Sequence, residues 1–210
     1  MRKSHQVPAN KNRVWPIVVK LGGSLITSLP ELIPVVCRSP RAALIVPGGG
    51  IFAESVRGLD LRDETAAHWM AVAAMDQYGW LIASKGIPET DVLRVPETPK
   101  VLLPYRCMRK EDPLPHSWDV TSDSIAAWVA GTLGIQLLVL KSVDGILLNG
   151  KLQEVVSERV DTDVVDPSFV GYVLNNQIPT TIINGSLTDR VEKFLRGESV
   201  PGTVLSTTFF

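Results

Sequence analysis

Short, unbroken apolar runs recur along the chain, and between them lie longer stretches whose apolar positions return every three or four residues. The first run, 17–19, is Ile-Val-Val and closes on Lys20. The second, 42–46, is Ala-Ala-Leu-Ile-Val, and the run within 136–140, Leu-Leu-Val-Leu after Gln136, is the most hydrophobic. Continuous runs of this kind are expected of strands buried on both faces. Further short strands are predicted at 92–95, 101–103, 180–183 and 202–206. Helices are predicted from Pro30 to about Arg38, where Pro34 should shorten or distort the helix, and directly after Gly50. A long Ala-rich helix is expected over 63–84, then others over 125–133, with Thr121 or Ser122 as cap, near 166–175 and over 188–196. Residues 104–118 hold Pro104, Pro113 and Pro115 and read as a loop with at most one helical turn. Residues 1–14 are polar and read as a loose, flexible segment. The alternation of strand and helix predicts a mainly parallel open sheet covered on both faces, in one domain over 15–210.

The turns that follow the first two strands carry the chemistry. Lys20-Leu21-Gly22-Gly23-Ser24 brings a cation, two glycines and a hydroxyl that could cap the next helix. Pro47-Gly48-Gly49-Gly50 then leads into a helix, with bare N–H groups near its N-terminus. Either turn alone is also an ordinary tight loop. Both together, at the ends of consecutive strands, describe a cradle for an anion such as phosphate.

Composition narrows the classes. The 210 residues, 45% hydrophobic and 20% charged, suit one globular domain. A net charge of −1 offers no basic stripe for nucleic acid and no polybasic membrane patch. Cys37 and Cys107 stand far apart, outside metal or redox spacing, which suits a reducing cytoplasmic setting. Lys20 inside the first apolar stretch argues against a secretion signal, and no run is long enough to span a membrane. His5, His68 and His116 are scattered, so no zinc site is expected. Neither a P-loop, nor G-x-G-x-x-G after a strand, nor a G-x-S-x-G elbow occurs.

An ordered set of segments spans residues 16–206. It comprises Lys20-Leu-Gly-Gly-Ser, Gly48-Gly49-Gly50, Asp119-Val-Thr-Ser-Asp123-Ser-Ile-Ala-Ala, Lys141-Ser142-Val143-Asp144-Gly145-Ile, and Gly202-Thr203. This set resembles the amino acid kinase family, which includes acetylglutamate, aspartate, uridylate and isopentenyl phosphate kinases. The resemblance implies a three-layer α/β/α sandwich, and transfer of the γ-phosphoryl group of ATP, with Mg²⁺, to a carboxylate or a phosphate. It implies that Lys20 contacts the transferring group and that Asp123 holds that lysine through a salt bridge. Asp119 is a weaker candidate for a supporting contact. Gly22, Gly23, Ser24, Ser142, Asp144 and Gly145 would face ATP, and Lys141 would reach its β- or γ-phosphate. No protein ligand set for a metal is implied, since Mg²⁺ would be held mainly by the ATP phosphates. The chain departs from many relatives by lacking a lysine between Lys151 and Lys193, where they carry a phosphate-binding one. The second positive charge then falls to Lys141, Arg159, Arg190 or the metal alone.

For the acceptor, Gly48, Gly49, Gly50 and Arg57 resemble members that bind a phosphomonoester. The helix bearing His68, Trp69, Met75 and Tyr78 resembles a small branch linked to methanofuran biosynthesis, whose members phosphorylate [5-(aminomethyl)furan-3-yl]methyl phosphate to the diphosphate. The ring would rest near His68 and Met75, with Asp60 or Asp76 for the ammonium. A uridylate kinase-like or other amino acid kinase family activity is the alternative, and a molybdate or tungstate storage protein is the alternative of another class. Relatives associate through the helix after the glycine-rich turn, so a homo-oligomer is expected.

Overall fold

The structure, a computed structural model, describes residues 15–206; residues 1–14, expected to be loose, and 207–210 lie outside the described residues. In chain order it contains β1 (Ile17–Leu21), a 3₁₀ helix (Gly23–Ser28), α1 (Leu29–Arg38), β2 (Ala43–Pro47) and α2 (Gly50–Arg57). Then follow α3 (Glu64–Ala83), β3 (Glu89–Thr90), β4 (Lys100–Leu102), α4 (Pro104–Glu111), α5 (Ser122–Leu133) and β5 (Gln136–Lys141). A hairpin of β6 (Leu147–Leu148) and β7 (Lys151–Leu152) precedes β8 (Val155–Val156), α6 (Phe169–Asn175), β9 (Thr180–Asn184), α7 (Thr188–Leu195) and β10 (Thr203–Leu205).

Eight strands form one sheet in the order β3-β4-β2-β1-β5-β9-β10-β8. Neighbours run parallel except β9 and β10, which are antiparallel. The apolar runs occupy the middle, where helices cover both faces. Side chains alternate across a strand, so β1 feeds two cores. Ile17, Val19 and Leu21 join α1 and α7 on one face, while Val18 joins α5 and α6 on the other. By the same period Lys20 points to the α5 face. This is the covered, mainly parallel sheet expected from the strand–helix alternation, in the three-layer α/β/α arrangement that the family resemblance implied.

Several expectations are corrected. Residues 92–95 form no strand; the edge strand is Glu89–Thr90. Residues 104–111 form a full helix, because Pro104 sits in its first turn, where a missing N–H costs nothing, and Cys107 and Met108 bury its inner face. Pro34 does not end α1, which runs on to Arg38. Ser24 caps nothing: it lies inside the 3₁₀ helix, whose N-cap is Gly22 and has no side-chain cap. The short strands β6, β7 and β8 are too brief to show any period in the sequence.

Candidate active site

Lys20 is only 3% exposed, and an ammonium so buried requires a partner. Asp123, one residue into α5, supplies it. Its Oδ1 lies 2.7 Å from Lys20 Nζ, and its Oδ2 accepts a hydrogen bond of 2.8 Å from Lys141 Nζ. The register explains the second lysine. Lys20 pairs with Val139, so Lys141 lies two residues further along β5 and faces the same side. One carboxylate thus bridges two ammonium groups, leaving this trio with a net positive charge. Burial, the largest influence, pushes the Asp123 carboxyl upward, but Lys20 and Lys141 together hold it below its ordinary value. Burial and the Lys20 charge bring Lys141 down to about 8, against the opposing pull of Asp123. Of the groups considered for the second positive charge, Lys141 is the one that joins Lys20 on Asp123; Arg159 is exposed and does not line the cavity described below.

The first turn of α5 is fastened from outside. Thr121 holds the N-cap position but makes no cap bond within the helix. The N–H and hydroxyl of Thr121 and the N–H of Ser124 donate to Asp166 Oδ2, each at 2.9 Å, and the Ser124 hydroxyl donates to Oδ1 at 2.5 Å. Sequence reading missed Asp166, because it lies more than forty residues from its partners. Asp119 is held through its backbone: its N–H donates to Ser117 Oγ at 3.1 Å, and its carbonyl accepts from the Ser168 N–H at 3.1 Å.

Beside the lysines, the two glycine turns touch. A Cβ on Gly23 would fall 2.2 Å from Gly50 Cα, and one on Gly48 would fall 2.9 Å from Gly23 N. Gly50 itself has φ of 53°, in the left-handed region. The N–H groups of Gly22 and Gly48 are already committed, to Leu140 O at 3.2 Å and Leu21 O at 2.8 Å. They serve the strands, so the donors left for an anion are the N–H groups at the starts of the 3₁₀ helix and α2, around Gly23, Gly49 and Gly50.

These donors open into a cavity of about 470 Å³ at the C-terminal ends of β1 and β2, walled by α2, α3 and the 117–123 segment. Lys20, Gly22, Gly23, Ser24, Gly49 and Gly50 line one end, with Asp123 and Lys141 beside them. His68 and Met75, seven residues apart on α3, line a side wall. His68 stacks on His116 with ring centroids 4.5 Å apart, and its Nε2 has no hydrogen-bond partner. Burial and the neighbouring His116 bring His68 down to about 4, so its imidazole is neutral near pH 7.

Other candidates are placed differently. Arg57 lines the cavity, but α2 separates its backbone from Gly50 by roughly 10 Å. Its guanidinium lies 4.5 Å from the centre of the Trp118 ring. Asp60 is exposed in the loop after α2 and does not line the cavity. Asp76 faces α4, where it accepts the Tyr105 N–H at 3.1 Å; burial foremost raises its carboxyl to about 6. The carboxylates that do line the cavity, besides Asp123, are Glu54 and Glu64. Gly48, Ser142, Asp144 and Gly145 are not part of this wall.

The last three lie past the end of β5. Asp144 Oδ1 accepts from Arg190 Nη1 at 2.7 Å and from Asn184 Nδ2 at 3.2 Å. Gly145, at φ of 154°, packs against Thr203: a Cβ there would lie 2.4 Å from Thr203 Oγ1. That hydroxyl accepts the Ile146 N–H at 2.9 Å and donates to Gln153 O at 2.6 Å. The last strand therefore locks the turn after β5.

No family model matches the chain. A [5-(aminomethyl)furan-3-yl]methyl phosphate kinase from Methanocaldococcus jannaschii is 28% identical over 201 residues, covering 86% of this chain and 93% of that protein. The fold is shared with the uridylate kinase of Archaeoglobus fulgidus, with a TM-score of 0.65 and 19% identity, over 91% of this chain and all of that one. It is also shared with an isopentenyl phosphate kinase, at a TM-score of 0.61 and 16% identity, over 90% of this chain and 99% of the other. The UMP kinase of Bacillus anthracis gives a TM-score of 0.66 at 15% identity, covering 93% and 97%. The fold is thus one that these kinases share. The chain brings its second lysine to Asp123 from the central strand β5. No helix among the described residues is long and apolar enough to cross a membrane.

Proposed function

We propose that this chain is an amino acid kinase that uses ATP to convert a small phosphomonoester to a diphosphate, and that the acceptor is [5-(aminomethyl)furan-3-yl]methyl phosphate. The observation that carries the reading is the two-lysine carboxylate bridge beside free turn N–H groups, at the end of a cavity sized for one small molecule. The name of the relative from Methanocaldococcus jannaschii supports the choice of acceptor. Phosphoryl transfer asks the protein chiefly for positioning and for offsetting charge on the transferring group. Lys20 and Lys141 fill that role, with N–H groups of the two glycine turns as fixed donors. The acceptor phosphate lies on the Gly23, Gly49 and Gly50 donors. It is largely ionised near neutral pH, so its oxygen attacks without a base, and neutral His68 serves as a wall of the ring pocket. The ammonium of the acceptor is matched by Glu54 or Glu64 rather than by Asp60 or Asp76.

ATP approaches from the end of β5, where Lys141, Ser142, Asp144, Gly145 and the tethered Arg190 gather. Among the described residues no cluster of three or more histidine, cysteine or acidic side chains could hold a metal ion. Mg²⁺, when bound with the nucleotide beside Lys20 and Lys141, would supply further neutralisation of phosphate charge. A second copy of the chain covers the exposed Met70 and Trp80 of α3, making a homo-oligomer. Nothing in the site favours molybdate or tungstate storage.

The test is ADP release in a coupled assay with the furan phosphate, UMP and acetylglutamate as acceptors. A diphosphate formed from the furan ester is expected. Activity with UMP alone moves the chain to the nucleotide kinases, and activity with acetylglutamate overturns the reading of the glycine turns. In the same assay Lys20→Ala should lower kcat on the order of 10²-fold or more with the fold intact. A parent-like rate would remove Lys20 from the chemistry.

A further inference from the structure

We propose that Asp166 is the positioning residue of the phosphoryl-transfer site: by fastening the first turn of α5, it aims the Asp123 carboxylate between the ammonium groups of Lys20 and Lys141. The proposal rests on the phosphotransferase reading and goes beyond it. Asp166 is 7% exposed and accepts from Thr121 and Ser124, the residues two before and one after Asp123, through both their N–H groups and both their hydroxyls. Those contacts grip the helix on either side of the bridging carboxylate. A second tie runs through the backbone, where the Ser168 N–H donates to Asp119 O and the Phe169 N–H donates to Asp166 O. Thus the start of α6 and the approach to α5 form one braced unit. A carboxylate set between two cations tolerates little rotation, because each oxygen serves a different lysine. A helix start free to shift would lose one of them.

Asp166 also adds a second negative charge to the group. Lys141 is faced by Lys20 from β1, Asp123 from α5 and Asp166 from the segment before α6, and Asp166 favours its ammonium form. The carboxylate therefore helps to keep Lys141 charged as well as aimed. A helix cap with a purely structural role would do neither in a way that activity reports.

Asp166→Asn, Asp166→Glu and Ser124→Ala separate these roles. The first removes the charge and cannot accept from both hydroxyls; the second keeps the charge but displaces it; the third keeps the carboxylate and deletes one contact. Each is measured for kcat, for KM of ATP and acceptor, for melting temperature, and for the pH midpoint of Lys141 acetylation followed by mass spectrometry. Asp166→Asn should lower kcat on the order of 10²-fold, with both KM values near the parent's, and should move the Lys141 midpoint to lower pH. Asp166→Glu should restore the midpoint without restoring kcat. Ser124→Ala should lose part of kcat at an unchanged melting temperature, and it carries the test if Asp166→Asn does not fold. Parent-like kcat and midpoint in Asp166→Asn, or a kcat loss that matches its unfolded fraction, overturns the proposal. So does a rise confined to the KM for ATP. Acetylation needs no acceptor, so a shifted midpoint in a protein inactive on the furan ester sinks the substrate and keeps Asp166. Turnover of that ester with an unmoved midpoint does the reverse.

Discussion

In the proposed reaction Lys141 has two demands placed on it, because its ammonium binds phosphate and yet is buried beside another cation. Burial and Lys20 bring it to about 8, so its charge is lost within the range where enzymes are assayed. The activity should fall as pH rises through about 8, while Lys141→Arg, whose guanidinium stays charged, should lose that limb at a lower overall rate. Stability moves the other way. Between about 8 and its ordinary 10.5 the unfolded chain holds a proton on Lys141 that the folded chain has released. Raising the pH through that window therefore favours the folded state by this group's share. Rate profiles for both proteins, with melting curves at matched pH, check the opposed signs. A basic limb near pH 8 that survives in Lys141→Arg would show that another group titrates.

The elements most legible in the sequence were those whose apolar residues are contiguous. β1, β2 and β5 lie in the centre of the sheet, covered on both faces, and their apolar runs continue unbroken up to Lys20, Pro47 and Lys141. The bridge from Asp123 to Lys20 was expected through family resemblance, and the geometry places those groups together. What stayed hidden depends on distant partners. Leu93 packs on the core without forming a strand, α4 begins at a proline that suggested a loop, and Thr121 turns to Asp166 instead of capping its own helix. No local pattern announces any of these. The contact between the glycine turns belongs to the same class and gives the test at this scale. Gly23→Ala would drive a methyl group to 2.2 Å from Gly50 Cα, against backbone that cannot swing aside. It should destabilise the fold by about 1–3 kcal/mol and raise the KM for acceptor, since the anion donors move with the turn. Gly171→Ala in α6, with nothing within 4 Å of the added carbon, should be neutral or slightly stabilising in the same melts. Equal effects from the two substitutions would refute the close-contact account.

At the scale of the molecule, α3 is apolar on nearly every side. Val72, Met75, Tyr78 and Ile82 face inward, yet Met70 is 41% and Trp80 56% exposed, with Ile51 of α2 at 61%. A helix of that character is ordinarily covered. Sedimentation should find a dimer or larger species, and Met70→Glu with Trp80→Glu should shift it toward monomer; a parent protein that sediments as a monomer ends the idea. The order of the strands has a consequence for the chain as it is made. β1, buried at all five positions, pairs with β2 on one side and β5 on the other. While the ribosome has delivered only the first hundred residues, β1 can hold β2 but has an open edge of Ile, Val and Leu that nothing yet pairs. That edge closes only when residues 136–141 emerge, and the same strand brings Lys141. A nascent chain therefore carries an unpaired apolar edge, open to self-association, until the strand that completes the Lys20–Asp123–Lys141 cluster has been made.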